Sequence, residues 1–200
     1  MYLLKHKNDV CNVFRSFHHM IVTQFNTHIK VIQSDNEGEY LKTELIEFMN
    51  SKGILHQTTC PYSPQQNGVA ERKIIHILEV TRSFLIDGNV PSHLWGEAVT
   101  SAVYLINRTP SNVLNFRRPL DVLSDHCILP SIVSLPSHIF GCVIYVHLHS
   151  HQCTKLEERA LKCVFVRYGS TQKGYCAYHP PSKKFYISMD VAFNEHSFLC

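Results

Sequence analysis

Two hundred residues allow one domain with a satellite or two small ones. A hydrophobic content of 44% supplies a core, and a charged content of 18% is too low for a disordered chain. The longest apolar runs fall far short of a membrane span, and Lys5 and Lys7 follow the first short apolar run instead of preceding it, so neither a membrane partner nor a signal peptide is expected.

In chain order, Tyr2 to His6 reads as a strand. Val10, Val13, Phe14, Phe17, Met20 and Ile21 recur at helical spacing, so 9–24 reads as an amphipathic helix with Asp9 where an N-cap belongs. His18 and His19 on that helix read as surface or boundary residues. Ile29 to Gln33 reads as a buried strand that presents Asp35. Leu41, Leu45, Phe48 and Met49 mark a helix that stops at Gly53, and Ile54 to Thr59 reads as a strand. Pro61 to Gly68 is a loop. Val69, Ile74, Ile77, Leu78, Thr81 and Leu85 give a helix ending near Gly88, and Leu94 to Ile106 gives another before Pro110. This alternation argues an α/β layer fold. From Pro119 to Pro136 no period is clear, and the stretch reads as an irregular connection. After it, 139–147, 162–168, 174–179 and 184–193 read as short strands, with Pro180-Pro181-Ser182-Lys183 as a hairpin turn. Short antiparallel strands in a cluster are what a small barrel needs.

The eight cysteines form no Cys-x-x-Cys pair and follow no regular spacing, so they read as reduced, mostly structural thiols. His147, His149, His151 and Cys153 alternate along a strand. Such side chains diverge, so a solvated face is favoured over a zinc site. The net charge of +3 is unevenly placed: residues 1–90 carry nine basic and nine acidic side chains, residues 91–200 ten and seven. Arg167, Lys173, Lys183 and Lys184 lie close together in that second half. A basic surface of this kind suits a phosphate backbone, and it is also what a plain solvated face looks like.

Asp35 and Glu71 are the candidates for chemistry. Asp35 stands at a strand end in Ser34-Asp35-Asn36-Glu37-Gly38-Glu39-Tyr40. Glu71 stands in a first helical turn in Pro64-Gln65-Gln66-Asn67-Gly68-Val69-Ala70-Glu71-Arg72-Lys73, with 35 residues between the two. A pair so placed is able to converge on a hard divalent cation of the kind used in phosphoryl transfer. Each also has a plainer reading, Asp35 as an Asx-turn residue and Glu71 as a helix-dipole carboxylate.

These stretches, together with Tyr2-Leu3-Leu4-Lys5-His6-Lys7, Leu105-Ile106-Asn107-Arg108-Thr109-Pro110, Phe140-Gly141-Cys142 and Gln172-Lys173-Gly174-Tyr175, make the chain resemble the integrase region of a copia-type retrotransposon Pol polyprotein. The resemblance implies a ribonuclease-H-like core over residues 1–115, incomplete because its first strand is missing. A connection over 116–136 and a small all-β SH3-like barrel over 137–195 would follow. It implies DNA integration by metal-dependent phosphoryl transfer, with Asp35 and Glu71 as the last two members of an Asp, Asp, Glu triad holding Mg²⁺ or Mn²⁺. The family's first catalytic Asp lies upstream of Tyr2, and Asp9 as a helix cap does not replace it. The fragment alone is therefore expected to be inactive and to bind metal weakly or not at all. Glu37 stands where the family usually has Gly. DNA contacts are expected from Asn36, Gln66, Asn67, Arg72, Lys73, Lys173, Lys183 and Lys184, with self-association to other integrase chains. The function would place the protein in the nucleus, although the chain shows no targeting signal. The alternative is a non-catalytic nucleic-acid-binding relic, or a domesticated protein derived from such an element.

Overall fold

The computed structural model describes residues 1–60, 67–129, 134–148 and 158–198. The chain forms two compact units, Met1–Ile75 and His76–Cys200, and the division falls inside a single helix.

The first unit is built around a parallel βαβ arrangement. Helix α1 (Val10–Phe25) ends at Asn26, whose φ of +47° is the left-handed conformation that stops helices. Strand β1 (Val31–Ser34), helix α2 (Thr43–Ser51) and strand β2 (Leu55–Thr58) follow. The strands pair in parallel, Val31 opposite Leu55 and Ser34 opposite Thr58, with α2 in the crossover that a parallel pair requires. Beyond α2, Gly53 takes φ +68°, and the Ile54 N–H returns to the Met49 carbonyl at 2.9 Å. Cys11, Leu45, Met49 and Ile54 form the core, with Phe14, Ile32 and Tyr40 packed against it.

Four readings change here. Tyr2–His6 forms no strand, and Tyr2, Leu3 and Leu4 are exposed, because an apolar run becomes a strand only where a neighbour supplies hydrogen bonds and a face to cover. Asp9 does cap chemistry, but for a 3₁₀ turn at Lys7–Asp9: its Oδ2 accepts the His6 N–H at 3.2 Å, and α1 receives no side-chain cap from it. Strand β1 is not buried, since Val31 is exposed and Ser34 alone is buried. His18 is buried, edge-on to Phe48 at 5.5 Å. Burial pushes its pKa below the ordinary value, and nearby Lys52, His19 and His28 act in the same direction.

The second unit begins within helix α3 (Gly68–Asp87) and continues through α4 (Trp95–Ile106) and α5 (Pro119–Ser124). Strands β3 (Cys142–His147), β4 (Ala160–Tyr168), β5 (Tyr175–His179), β6 (Lys184–Ser188) and β7 (Val191–Phe198) complete it. They form one antiparallel sheet in the order β6-β5-β4-β3-β7. Alternate residues face opposite ways along a strand. Cys142, Ile144, Val146, Cys163, Phe165, Tyr175 and Ala177 therefore enclose one core. Val164, Val166, Cys176 and Tyr178 point the other way, onto Leu94 and Ala98 with Phe84 and Leu85 of α3. Ser101 of α4 donates its Oγ–H to the Val166 carbonyl at 2.9 Å. The middle of this sheet is thus covered on both faces.

The run 184–193 is two strands, broken at Met189-Asp190. The stretch read as irregular contains α5, with Pro119 in the first turn, where a missing N–H costs nothing and the fixed φ suits a helix. The turn at 180–183 forms as read, with the Lys183 N–H donating to the Pro180 carbonyl at 3.3 Å. Of the histidine cluster only His147 lies within the described residues, at the end of β3.

Cys142, Cys163 and Cys176 are fully buried and hold no disulfide, as reduced structural thiols should. Burial pushes the Cys142 thiol up to about 12 and the Cys163 and Cys176 thiols up to about 11. All three stay protonated, and hence unreactive, at pH 8. Brief iodoacetamide treatment at that pH should label Cys127, which is half-buried, and spare these three until denaturant is added; peptide mapping reads each site. Neutral-thiol burial favours the fold below the ordinary pKa of 9.0 and is lost as pH rises from there through about 11 to 12.

Candidate active site

Parallel strands present ligand-binding residues at their carboxyl ends, and the ends of β1 and β2 are cross-tied. Ser34 Oγ donates to the Asp35 carbonyl at 2.9 Å and lies 2.8 Å from His56 Nε2 on β2. The Asn36 amide donates to the Thr59 carbonyl at 2.8 Å. Asp35 Oδ1 accepts the Glu37 N–H at 3.2 Å, an Asx-turn bond that aims the half-buried carboxylate. The Asx turn engages Oδ1, and no hydrogen bond to Oδ2 is found among the described residues. Sequence reasoning missed His56, since a histidine in a short strand carries no periodic signal.

The other acidic side chains of this segment are engaged elsewhere. Lys7 Nζ lies 2.8 Å from Glu37 Oε2 and 3.3 Å from Glu39 Oε1. The hydrogen bond to Glu37, then the one to Glu39, holds the Lys7 ammonium above its ordinary pKa. The Glu39 carboxyl is held below its ordinary value, by a backbone hydrogen bond first and then by Lys7. Glu37 is thus turned toward Lys7.

Glu71 lies in the first turn of α3, the helix end at which a negative charge is favourably placed, and it is exposed. Arg72 folds its guanidinium back over Gly68: a Cβ on that glycine would stand 3.2 Å from an Arg72 terminal nitrogen. Lys73 is exposed and Asn67 half-buried just before the helix. Gln66 lies outside the described residues. Asp35 and Glu71 belong to the same compact unit. Among the described residues no three His, Cys, Asp or Glu side chains gather closely enough to hold a metal ion. The donor chemistry of the pair still suits a hard divalent cation, since Mg²⁺ keeps several waters and takes one or two carboxylates.

In the second unit Lys173, Lys183 and Lys184 are exposed. Arg167, grouped with them on sequence, is bound to Glu97 of α4 in an ion pair, so its charge is matched locally. Arg117 and Arg118 are likewise paired, with Asp125 and Asp121. Among the described residues no helix is long and apolar enough to cross a membrane.

Residues 142–199 match the family described as Retroviral polymerase SH3-like domain, the stretch that folds into the five-stranded antiparallel sheet. The chain is 40% identical over 195 residues to the Retrovirus-related Pol polyprotein from transposon TNT 1-94 of Nicotiana tabacum, matching 98% of this chain and 14% of that protein. It is 35% identical over 198 residues to the Retrovirus-related Pol polyprotein from transposon RE1 of Arabidopsis thaliana, matching 99% of this chain and 13% of that one. The chain thus spans a small part of the polyproteins it matches. Among solved structures it is similar to the HTLV-2 integrase catalytic core domain in complex with magnesium, with a TM-score of 0.41 and 23% identity over 56% of this chain and 69% of that one. It is also similar to a simian T-cell lymphotropic virus intasome in complex with PP2A regulatory subunit B56 gamma, with a TM-score of 0.45 and 17% identity over 94% of this chain and 64% of that one. Over nearly its whole length, then, this chain is homologous to a segment of the retrovirus-related Pol polyproteins of plant transposons, with a retroviral-polymerase SH3-like module in its C-terminal part.

Proposed function

We propose that these residues are the later part of a copia-type integrase core and its following SH3-like module, acting within a longer Pol polyprotein. The observation that carries this is one of placement. Homology runs along 98% of the chain, and along it Asp35 falls at the carboxyl end of a parallel strand and Glu71 in a first helical turn. In this reading 1–115 is the catalytic segment, 116–136 a connection and 137–195 the SH3-like module.

Asp35 and Glu71 would hold Mg²⁺ or Mn²⁺, which when bound supplies Lewis-acid stabilisation of phosphoryl oxygens. The protein's own part is to present the carboxylates. The Asx turn and the Ser34–His56 and Asn36–Thr59 ties set Asp35, and the first turn of α3 carries Glu71. Asn67, Arg72 and Lys73 around the start of α3, with Gln66 before it, would meet the DNA backbone, as would Lys173, Lys183 and Lys184. Association with further integrase chains belongs to the same reading.

The resemblance calls for three carboxylates, and these 200 residues offer two in matching positions. The isolated chain is expected to show no strand transfer on labelled element-end DNA with either cation. A polyprotein segment that adds the preceding integrase sequence is expected to be active. Strand transfer by the isolated chain that Asp35→Asn abolishes would refute this. The second reading, a non-catalytic nucleic-acid binder, is favoured by the exposed Lys173, Lys183 and Lys184. It predicts that the longer segment is inactive as well, while salt-sensitive DNA binding persists.

A further inference from the structure

The second compact unit carries a pocket of about 490 Å³ whose aromatic lining the assignments above do not use. It is lined by His93, Trp95 and Glu97 at the start of α4 and by Tyr178, Lys183 and Phe185 of the β5–β6 hairpin. Trp95 is 53% exposed and Phe185 46% exposed, an unusual state for two large rings at one site. Tyr178, on β5, is buried beside them in the pocket lining. Its ring lies 5.1 Å from Phe185 and 6.1 Å, edge-on, from His93. The rings therefore form a supported platform with open faces.

Lys183 is held at the edge of this platform. It has φ +54°, a left-handed conformation costly for a long side chain, and the turn that imposes it is closed twice. The His179 Nδ1 and Ser182 Oγ lie 2.7 Å apart, and the Lys183 N–H donates to the Pro180 carbonyl. Lys184 follows directly and is exposed. Glu97 adds no net negative charge to the pocket, because Arg167 binds it. Open aromatic faces beside lysines that form no ion pair among the described residues are the surface on which bases stack while phosphates pair with cations.

We propose that this pocket binds unpaired nucleotides of single-stranded DNA, with bases stacked on Trp95 and Phe185 and the backbone held by Lys183 and Lys184. The choice of DNA rests on the function proposed above, and the platform itself rests on the ring exposure and charge.

Trp95 is the only tryptophan in the chain, so its emission reports on the pocket alone. A short oligothymidylate is expected to quench it saturably, with an affinity that falls as salt rises. Phe185→Ala should weaken binding about tenfold, the scale of one lost stacking contact. Lys183→Gln should reduce the slope of log affinity against log salt by about 0.7, the value for one lost contact to a single strand. If Phe185→Ala does not fold by circular dichroism, Phe185→Leu removes the ring and keeps apolar volume, and the same weakening is expected.

The proposal is overturned by absence of quenching, or by folded variants that bind like the parent. Tighter binding of a duplex, an oligouridylate or a proline-rich peptide would overturn it too. Oligothymidylate binding is read on the isolated chain and strand transfer on the longer polyprotein segment, so failure of one is distinguishable from failure of the other.

Discussion

Asp35→Asn and Glu71→Gln, each placed in the longer integrase segment, are expected to lower strand transfer at least about a hundredfold while leaving the fold intact. Mutation of groups that merely orient metal ligands typically costs about 10- to 100-fold, so loss of a ligand itself should reach at least the upper end. Both changes are nearly isosteric and remove one negative charge. Asparagine keeps the Oδ1 that accepts the Glu37 N–H, so the turn after β1 should survive Asp35→Asn. Glu71→Gln forfeits about 0.3–1 kcal/mol of helix-dipole interaction, too little to unfold the unit. The control lies two residues from Asp35. Glu37 is exposed and bound to Lys7, so Glu37→Gln should leave strand transfer within about threefold of the parent, the effect of losing one surface ion pair. If Glu37→Gln instead matches Asp35→Asn, the assignment of the metal-binding carboxylate fails.

Gly141→Val is expected to be the most destabilising single change in the second unit. Gly141 has φ +83°, and a Cβ there would stand 2.7 Å from Gly88 Cα and 2.9 Å from the Gly88 carbonyl oxygen. Both obstacles are backbone, so no side chain is able to swing away. Gly88 is equally constrained: its own Cβ would lie 2.8 Å from the Phe84 carbonyl oxygen and 3.1 Å from that of Phe140. The contact joins the end of α3 to the start of β3, and the stacked pair Phe84–Phe140, 5.3 Å apart, flanks it. Strain at a left-handed position costs about 1–3 kcal/mol, and forced overpacking about as much again. At about 2–4 °C per kcal/mol for a unit of this size, melting should fall by roughly 10 °C. Gly38→Ala, where a Cβ would meet nothing within 4 Å, is the matched control and should change stability by at most about 0.5 kcal/mol. A Gly141→Val melting temperature equal to that of the control would remove the packing argument. The same contact gives the Phe140-Gly141-Cys142 stretch, which carries part of the family resemblance, a physical reason.

Periodicity made much of this architecture legible. The helical spacing of Val10 to Ile21 located α1, and Gly53 marked the stop after α2 because only glycine adopts its φ without cost. The turn at Pro180 to Lys183 was readable from local turn chemistry alone. So were the positions of Asp35 after a strand and Glu71 in a first helical turn, which depend on their nearest neighbours in the chain.

What depended on distant residues was not legible. The apolar run before Asp35 resembles a buried strand, yet Val31 is exposed, because burial is a property of what packs against a strand. His18 reads from sequence as a surface or boundary residue but is buried, edge-on to Phe48 of α2. Arg167 counted toward a basic patch until Glu97, seventy positions earlier, matched its charge. The sequence by itself determined helices α1 to α4, the turn at 180–183 and the local setting of the two candidate carboxylates, since these are settled within a few residues by backbone sterics and hydrogen bonding. Only the tertiary structure decided that the end of α3 and α4 cover β4 and β5, that Gly88 and Gly141 touch backbone to backbone, and that Trp95, Tyr178 and Phe185 meet in one pocket. Those are encounters between segments far apart in the chain, and burial, charge pairing and close packing arise only when such segments meet.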